Sequence, residues 1–294
     1  MIEGRVSHSR LPNQAHINYS TNTEFYRRSS LQGYSLKFVL AGTEPYRING
    51  QQRNVQPDQF LIVSHGSEVE VEIASREPVH GVCVFFSTHQ IRDVWHTLQA
   101  DDAILLDTPT GADTTPVFHE HVFTARHNLL GQRLATLAHQ ISTQPLAVHN
   151  LTDDLFYELA THLCQQQQTH GRHLAQLPAQ KRTTREELYR RLLLARDYMH
   201  DTQTEPTCLS DMAAVACLSD YHFLRTFKAV FGESPYQYVL RLRLQKAVDL
   251  LRYGSLSIGE IAILCGFDEV QAFTKLFRKQ HKLGPLRFRR SEQL

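Results

Sequence analysis

The spacing of apolar side chains changes period along this chain of 294 residues. Over residues ~30–88, five short β-rich runs (YSLKFVLAG, EPYRING, FLIVSHG, VEVEIAS and VHGVCVFFS) are set apart by Gly, Asn, Pro and Asp. Asn49-Gly50 offers turn residues tolerant of positive φ, and Pro57-Asp58 presets a second turn. Strands this short and evenly spaced predict a small antiparallel barrel or sandwich. Over residues ~89–168 the period lengthens to that of helices, with candidates at 89–99, 117–142 and 151–168. In the middle candidate, Leu130, Leu134, Leu137 and Ile141 form one stripe, which reads either as packing against the barrel or as a dimer seam. The polar stretch 171–184, interrupted by Pro178, reads as a linker.

Residues 185–294 are helical in pattern throughout. Leu188, Leu192, Ala195 and Met199 form one stripe, and Leu240, Leu244, Ala247 and Leu251 another. The second belongs to a helix starting at Ser234-Pro235, where serine caps the free N–H groups and proline takes the first helical position. An internal repeat dominates this region. Leu209-Ser-Asp-Met-Ala-Ala-Val-Ala-Cys-Leu matches Ile258-Gly-Glu-Ile-Ala-Ile-Leu-Cys-Gly-Phe at an offset of 49. Beyond the turn, Phe223-Leu-Arg-Thr-Phe-Lys matches Phe273-Thr-Lys-Leu-Phe-Arg at an offset of 50, and Pro235 and Tyr238 then pair with Pro285 and Phe288. Each copy reads as a short helix, a tight turn and a second helix with aromatics at i and i+4. Ala213 and Ala262 are small where two helices cross, with turns at Cys217-Leu218-Ser219 and Cys265-Gly266-Phe267. The Phe pairs then point inward, leaving Leu224, Arg225 and Lys228 in one copy, and Thr274, Lys275 and Arg278 in the other, facing out. Two helix-turn-helix units with cations at matching outer positions are suited to the DNA major groove, where Arg and Lys read guanine edges or neutralise phosphates.

At these residues the chain closely resembles the AraC/XylS family of transcription regulators. The resemblance covers about residues 185–290 and includes Leu209-x2-Met-Ala, Ser219-x-Tyr-His-Phe-x-Arg-x-Phe-Lys and Phe231-Gly232-x-Ser-Pro-x2-Tyr238. It continues through Arg243-Leu-x2-Ala247-x2-Leu-Leu, Ser257-Ile-x-Glu-Ile-Ala, Gly266-Phe267 and Phe273-x3-Phe-Arg-Lys to Pro285-x2-Phe-Arg289. It implies a DNA-binding domain of seven helices whose two recognition helices enter successive major-groove segments about one turn (~34 Å) apart. Base-reading candidates are then Tyr221, Leu224 and Arg225, with Gln271, Thr274 and Lys275 as counterparts. Ser219, His222, Lys228 and Arg278 complete the expected DNA-facing set. Two departures weaken the second unit as a base reader. Asp268-Glu269 stands where the family has a small polar cap, with Asp268 and Gln271 as an alternative capping pair. Lys282 and Gly284 stand where it has Gly and Ser.

The resemblance also implies a fold of class α+β. A cupin-like β-barrel with associated helices (residues 1–170) would sense an effector and mediate dimerisation, ahead of the helical domain at 185–294. Charge fits that division. Residues 181–294 carry a net charge of +6 against −5 for 1–180, as a polyanion-binding half and an acidic partner would. Double-stranded promoter DNA, a second copy of the chain, RNA polymerase and a small-molecule effector are the implied partners. Control by a partner protein, or by dimerisation alone, is the alternative. Five scattered cysteines without a CxxC pair, no long apolar run and no signal-like N-terminus predict a cytoplasmic, nucleoid-associated protein without a membrane segment.

A cupin metalloenzyme is the remaining reading, because 14 of 17 histidines precede residue 181. His65 and His80 lack an HxH partner, however. His119-Glu-His121 falls in a predicted helix, where i and i+2 diverge. No GxSxG, P-loop or GxGxxG is present, and Cys83 reads as a small strand hydrophobe. No metal, cofactor or catalytic residue is therefore expected.

Overall fold

The computed structural model describes residues 5–8, 15–99, 115–145, 151–253 and 255–292. It comprises two compact units, Met1–Gly171 and Arg172–Leu294.

The first unit is built on one antiparallel sheet of eight strands: β1 (Arg5–His8), β2 (His16–Ser30), β3 (Tyr34–Ala41), β4 (Glu44–Ile48), β5 (Gln51–Val55), β6 (Gln59–Val63), β7 (Glu68–Phe86) and β8 (Val122–Thr124). Their order is β1-β2-β7-β3-β6-β8, with the β4–β5 hairpin attached to β7, giving a nearly closed barrel. The predicted turns are present. Asn49 and Gly50 both have positive φ (48° and 80°), as a two-residue hairpin of the primed type requires. Asp58 takes φ 61° in a turn closed by Gln59 N–H to Gln56 O at 3.0 Å.

Two strand expectations are corrected. VEVEIAS and VHGVCVFFS are not separate strands but one strand of 19 residues, β7. Its ladder with β2 passes from Ala74–Glu24 to Val79–Asn22, so residues 75–78 bulge outward opposite Thr23. Pro78, which has no N–H for a ladder, sits in that bulge. The sheet also begins well before residue 30, with β1 at Arg5–His8 paired to β2 from His16. The second half of β2 is largely exposed and lacks an apolar rhythm; continuous pairing with β7 holds it in place.

Pairing register divides the sheet into two faces. Ser35, Lys37 and Val39 of β3 share the inner face with Leu61 and Val63 of β6 and with Gly81, Cys83 and Phe85 of β7. The interior core includes Val39, Tyr46, Ile48, Val55, Leu61, Val63, Val69, Val71, Ile73 and Val79. The outer face, with Leu36, Phe38, Phe60, Ile62, Val82 and Val84, is buried too. Helix α2 (Leu129–Thr143) lies against β3 there, and its stripe Leu130, Leu134, Leu137 and Ile141 is buried within the single chain. That stripe is therefore core packing. Trp95 of α1 (Thr88–Thr97) and Tyr34 of β3 meet on Phe118, at 5.6 and 4.7 Å between ring centres.

The helix expected over 117–142 is shorter. Residues 117–121 are not helical, β8 pairs with β6, a 3-10 turn covers Ala125–His127, and Asn128 Oδ1 caps α2 by accepting from Gly131 N–H at 2.7 Å. His119 and His121 consequently lie outside any helix, with His119 stacked on His170 at 4.5 Å. Glu120 between them lashes the strand ends together, accepting from Ser64 N–H at 3.2 Å and from the Asn49 amide at 3.1 Å. Helix α3 runs from Asp153 to Ala175 and α4 from Arg182 to Asp201, so most of the linker expected at its two ends is helical. The Gln- and His-rich residues of 165–173 are not a solvated face: Gln167 and His170 are buried, Gln167 exchanging hydrogen bonds with the His119 backbone at 2.9 and 3.2 Å and His170 stacking on the His119 ring.

The second unit holds seven helices among its described residues from Arg182 onward: α4, α5 (Leu209–Val215), α6 (Asp220–Phe231), α7 (Pro235–Tyr253), α8 (Ile258–Leu264), α9 (Val270–His281) and α10 (Pro285–Glu292). Both predicted stripes face its core. Leu192, Ala195, Met199, Leu244, Ala247 and Leu251 are buried. Helix α7 starts as its sequence requires, Ser234 and Gln237 bonding reciprocally at 3.0 and 3.3 Å ahead of Pro235.

Candidate nucleic-acid interface

Each half of the repeat folds into the same device. In the first, Leu218 N–H bonds to Ala213 O (3.0 Å) and Cys217 N–H to Ala214 O (2.9 Å), closing α5. In the second, Phe267 N–H bonds to Ala262 O (3.0 Å) and Gly266 N–H to Ile263 O (2.9 Å), closing α8. Cys217 and Gly266 are the left-handed residues, at φ 51° and 78°. The turns thus superpose as Ala216-Cys217-Leu218 on Cys265-Gly266-Phe267, the offset of 49 read in the sequence, and the first turn starts one residue before the Cys217-Leu218-Ser219 expected. The change of offset from 49 to 50 falls immediately after: Ser219 caps α6 and Glu269 precedes α9, with Asp268 as the inserted residue.

Gly266 cannot be exchanged as freely as Cys217. A Cβ there would lie 2.6 Å from Thr204 O. The Arg243 guanidinium fixes that approach, donating to Gln203 O (2.5 Å), Glu205 O (3.0 Å) and Gly266 O (2.6 Å). This tether was missed in the sequence, where Arg243 was only part of a family motif and its acceptors, being backbone carbonyls, have no sequence signature.

The recognition helices are anchored alike. Phe223 and Phe227 are fully buried with rings 5.4 Å apart, and Phe273 and Phe277 repeat this at 5.6 Å. Tyr238 meets Phe227 edge-on at 5.5 Å, and Phe288 meets Phe277 at 5.4 Å. With these rings inward, Ser219, Tyr221, His222, Leu224, Arg225 and Lys228 of the first unit are all exposed, Tyr221 at 73%. Gln271, Lys275 and Arg278 of the second are exposed, whereas Thr274 is half-buried. None of Arg225, Lys228, Lys275 and Arg278 is ion-paired among the described residues, in contrast with Arg190 and Arg191, which share Glu187, and Arg241, which pairs with Glu233. Four cations left unneutralised on two matching faces are chemically suited to phosphate oxygens.

The two units differ at their entrances. Ser219 Oγ accepts from His222 N–H at 3.4 Å, whereas α9 has no side-chain cap at all. The expected Asp268–Gln271 cap does not form, because Asp268 lies one residue too early and Glu269 takes the capping position. The first helices reverse that order of quality. Ser257 and Glu260 form a full capping box (3.2 and 2.7 Å), and the bonds from Ser257 hold the Glu260 carboxyl below its usual range. Cys208 stands in the equivalent place, partnered by Asp211. At the far ends, Gly232 closes α6 at φ 79° and Lys282 closes α9 at φ 63°.

Comparison with known proteins assigns the chain. A family model described as a helix-turn-helix domain matches residues 212–291, and one described as an AraC-like ligand binding domain matches residues 11–159, just over half of the chain. The chain belongs to the AraC family. Among curated relatives, the probable transcriptional regulator LumQ of Photobacterium leiognathi is 30% identical over 97 residues, 33% of this chain and 39% of that protein. The transcriptional regulator Rob of Salmonella typhimurium is 37% identical over 89 residues, 30% of this chain and 31% of that one. The matched stretches thus span well under half of these relatives' own lengths. Among solved structures, an AraC-type transcriptional regulator from Chromobacterium violaceum is 31% identical, covering 35% of this chain and 93% of that chain with a TM-score of 0.34.

Within this AraC-family chain, His80 lies on β7, whereas His65, expected on a strand, lies in the turn after β6, and both are engaged structurally. His65 Nδ1 accepts from Gly33 N–H at 3.0 Å, and His80 Nδ1 lies 3.1 Å from the Tyr19 hydroxyl. Among the described residues no group of three His, Cys, Asp or Glu side chains is placed to hold a metal ion. Cys83 keeps its thiol above the ordinary range, chiefly through desolvation, which suits packing better than nucleophilic attack.

Proposed function

We propose that this protein is a sequence-specific DNA-binding transcriptional regulator whose two helix-turn-helix units engage successive major-groove segments. A small molecule in the N-terminal barrel controls it. The observation that carries the DNA-binding half is the repeated geometry of α5–α6 and α8–α9, with unpaired cations at matching outer positions. The family's ligand-binding domain over residues 11–159 supports effector control. We assign no catalytic step to the chain. On this reading it acts as a homodimer in the cytoplasm, on nucleoid DNA and beside RNA polymerase.

The two units divide the work. Tyr221, Leu224 and Arg225 read bases from a conventionally capped helix with an Arg/Lys outer face. In the second unit, Lys275 and Arg278 hold phosphate while Asp268 and Glu269 repel it at the entrance, and Thr274 is too sunken for an extended contact. Genome-wide mapping of bound sites followed by footprinting tests this. The expected result is two protected segments about one helical turn apart, with stronger base preference beneath α6. Uniform preference across both segments would overturn the division of labour. Binding insensitive to sequence would overturn specific regulation.

A further inference from the structure

The barrel interior is not uniformly apolar. At one end the register stacks two rungs across three strands, His16–Phe85–Ser35 and Asn18–Cys83–Lys37. Their outer-face neighbours Ile17, Tyr19, Val82 and Val84 are buried, yet His16, Asn18, Cys83 and Phe85, which face inward, are each partly exposed. The usual order of a sheet is therefore inverted here. Water reaches the inside of the barrel at this end, while its outside is covered.

Two side chains in these rungs are buried without the full set of partners their chemistry calls for. Ser35 is fully buried and its hydroxyl has no hydrogen-bond partner. Lys37 is 7% exposed, and its ammonium lies 4.2 Å from the centre of the Phe85 ring. Among the described residues no carboxylate pairs with it within ion-pair distance. Glu44 acts on Lys37 electrostatically but takes its hydrogen bond from the Tyr46 hydroxyl instead. The ammonium also hydrogen-bonds to the Cys83 thiol, but a nearly buried cation whose carboxylate lies beyond ion-pair distance still has room for an anion in direct contact.

We propose that this end of the barrel binds a small organic carboxylate, its oxygens accepting from the Lys37 ammonium and the Ser35 hydroxyl and its apolar body lying against Phe85 toward Leu61 and Val63. This rests on the reading of the barrel as the effector domain. One lysine and one hydroxyl suit a single negative charge. A phosphate calls for several donors, usually an Arg fork or a row of backbone N–H groups, and Glu44 in the same interior adds repulsion to a dianion. A neutral polyol would leave the ammonium uncompensated.

The test uses the full chain, with thermal-shift and calorimetric titration of hexanoate and benzoate against hexanamide, benzamide, hexanol and glucose. An acid should raise the melting temperature where its own amide does not. Lys37→Met should weaken the acid at least about tenfold, and Ser35→Ala by a smaller factor, since the charge-assisted bond is the stronger of the two. Ser35→Ala removes an unsatisfied hydroxyl and should melt no lower than the parent, whereas Lys37→Met also removes a charge that offsets buried Glu44, so each variant's shift is read against its own ligand-free melting temperature. Lys37→Gln serves if the methionine variant fails to fold. Equal binding of acid and amide, or undiminished acid binding in both Lys37 variants, overturns the proposal. Neutral compounds that bind while the acids are silent overturn the carboxylate and leave effector control standing. If no compound shifts melting or alters DNA release, both readings fall.

Discussion

Arg225 and Lys228 sit on the same exposed side of α6 but are suited to different tasks. Arg225 lies where its planar fork can meet a guanine edge, so Arg225→Ala should cost ~1–3 kcal/mol of binding and relax preference at one base position. Lys228 is a point charge one turn nearer the helix end. Lys228→Ala should weaken all sequences alike and lower the slope of log K against log salt by about one. Gel-shift titration on specific and scrambled sites across a salt series separates the two, and an Arg225→Ala variant with unchanged preference would contradict the placement of α6. At the far end of the second unit, Lys282 adopts φ 63°, where a side chain is strained. Lys282→Gly should raise stability by roughly 0.5 kcal/mol, read from urea unfolding, because glycine has no Cβ to oppose that backbone.

At the scale of elements, the quality of each helix start is set by one or two side chains. Ser257→Ala breaks the capping box of α8 and should cost about 1 kcal/mol. The reverse change is open at α9. Glu269→Ser supplies the missing acceptor at a position that already has cap-like backbone angles, φ −127° and ψ 126°, and should add a comparable amount of stability. It also removes a negative charge from the DNA-facing entrance, so affinity should rise in the same variant. Stability that rises while affinity stays flat would mean that Glu269 does not face phosphate. Much at this scale was legible in advance. The aromatic pairs at i and i+4, the Ser-Pro start of α7 and the Asn-Gly hairpin all follow local rules and are all present. The false helix over 117–128 has a local cause as well: the genuine stripe from Leu130 onward extends on paper over an irregular stretch, the short strand β8 that pairs with β6 and a 3-10 turn.

For the molecule as a whole, pH should bear on the second unit through His173. Its ring packs on Phe231 at 5.3 Å and its Nδ1 lies 2.9 Å from the Tyr189 hydroxyl. Desolvation first, with help from the nearby Arg196 and Arg172 charges, pushes its pKa down from 6.5 to about 4. The unfolded chain therefore binds the proton more readily between those values, and stability rises with pH across the window. The contribution is complete above pH 6.5 and is lost as pH falls toward 4. Allowing for partial exposure of the ring it amounts to roughly 2 kcal/mol. Urea unfolding between pH 4 and 7 should show this slope, and His173→Gln should flatten it.

What the sequence determined by itself was whatever is written in local spacing. The repeat, its inward Phe pairs, its outward cations and the change from strand to helical period are properties of residues a few positions apart, and these identified the helical unit and its outward-facing side chains. The tertiary structure alone decided whatever depends on partners distant in the chain. The long β2 strand is held by β7 partners 38 to 69 residues away, the bulge at 75–78 joins two apparent strands into one, and Arg243 ties Gly266 to carbonyls 38 and 40 residues before itself. The barrel interior belongs to the same class. Only the register of β2, β3 and β7 brings Ser35, Lys37 and Phe85 together on one face, because strand pairing joins residues that share no local pattern.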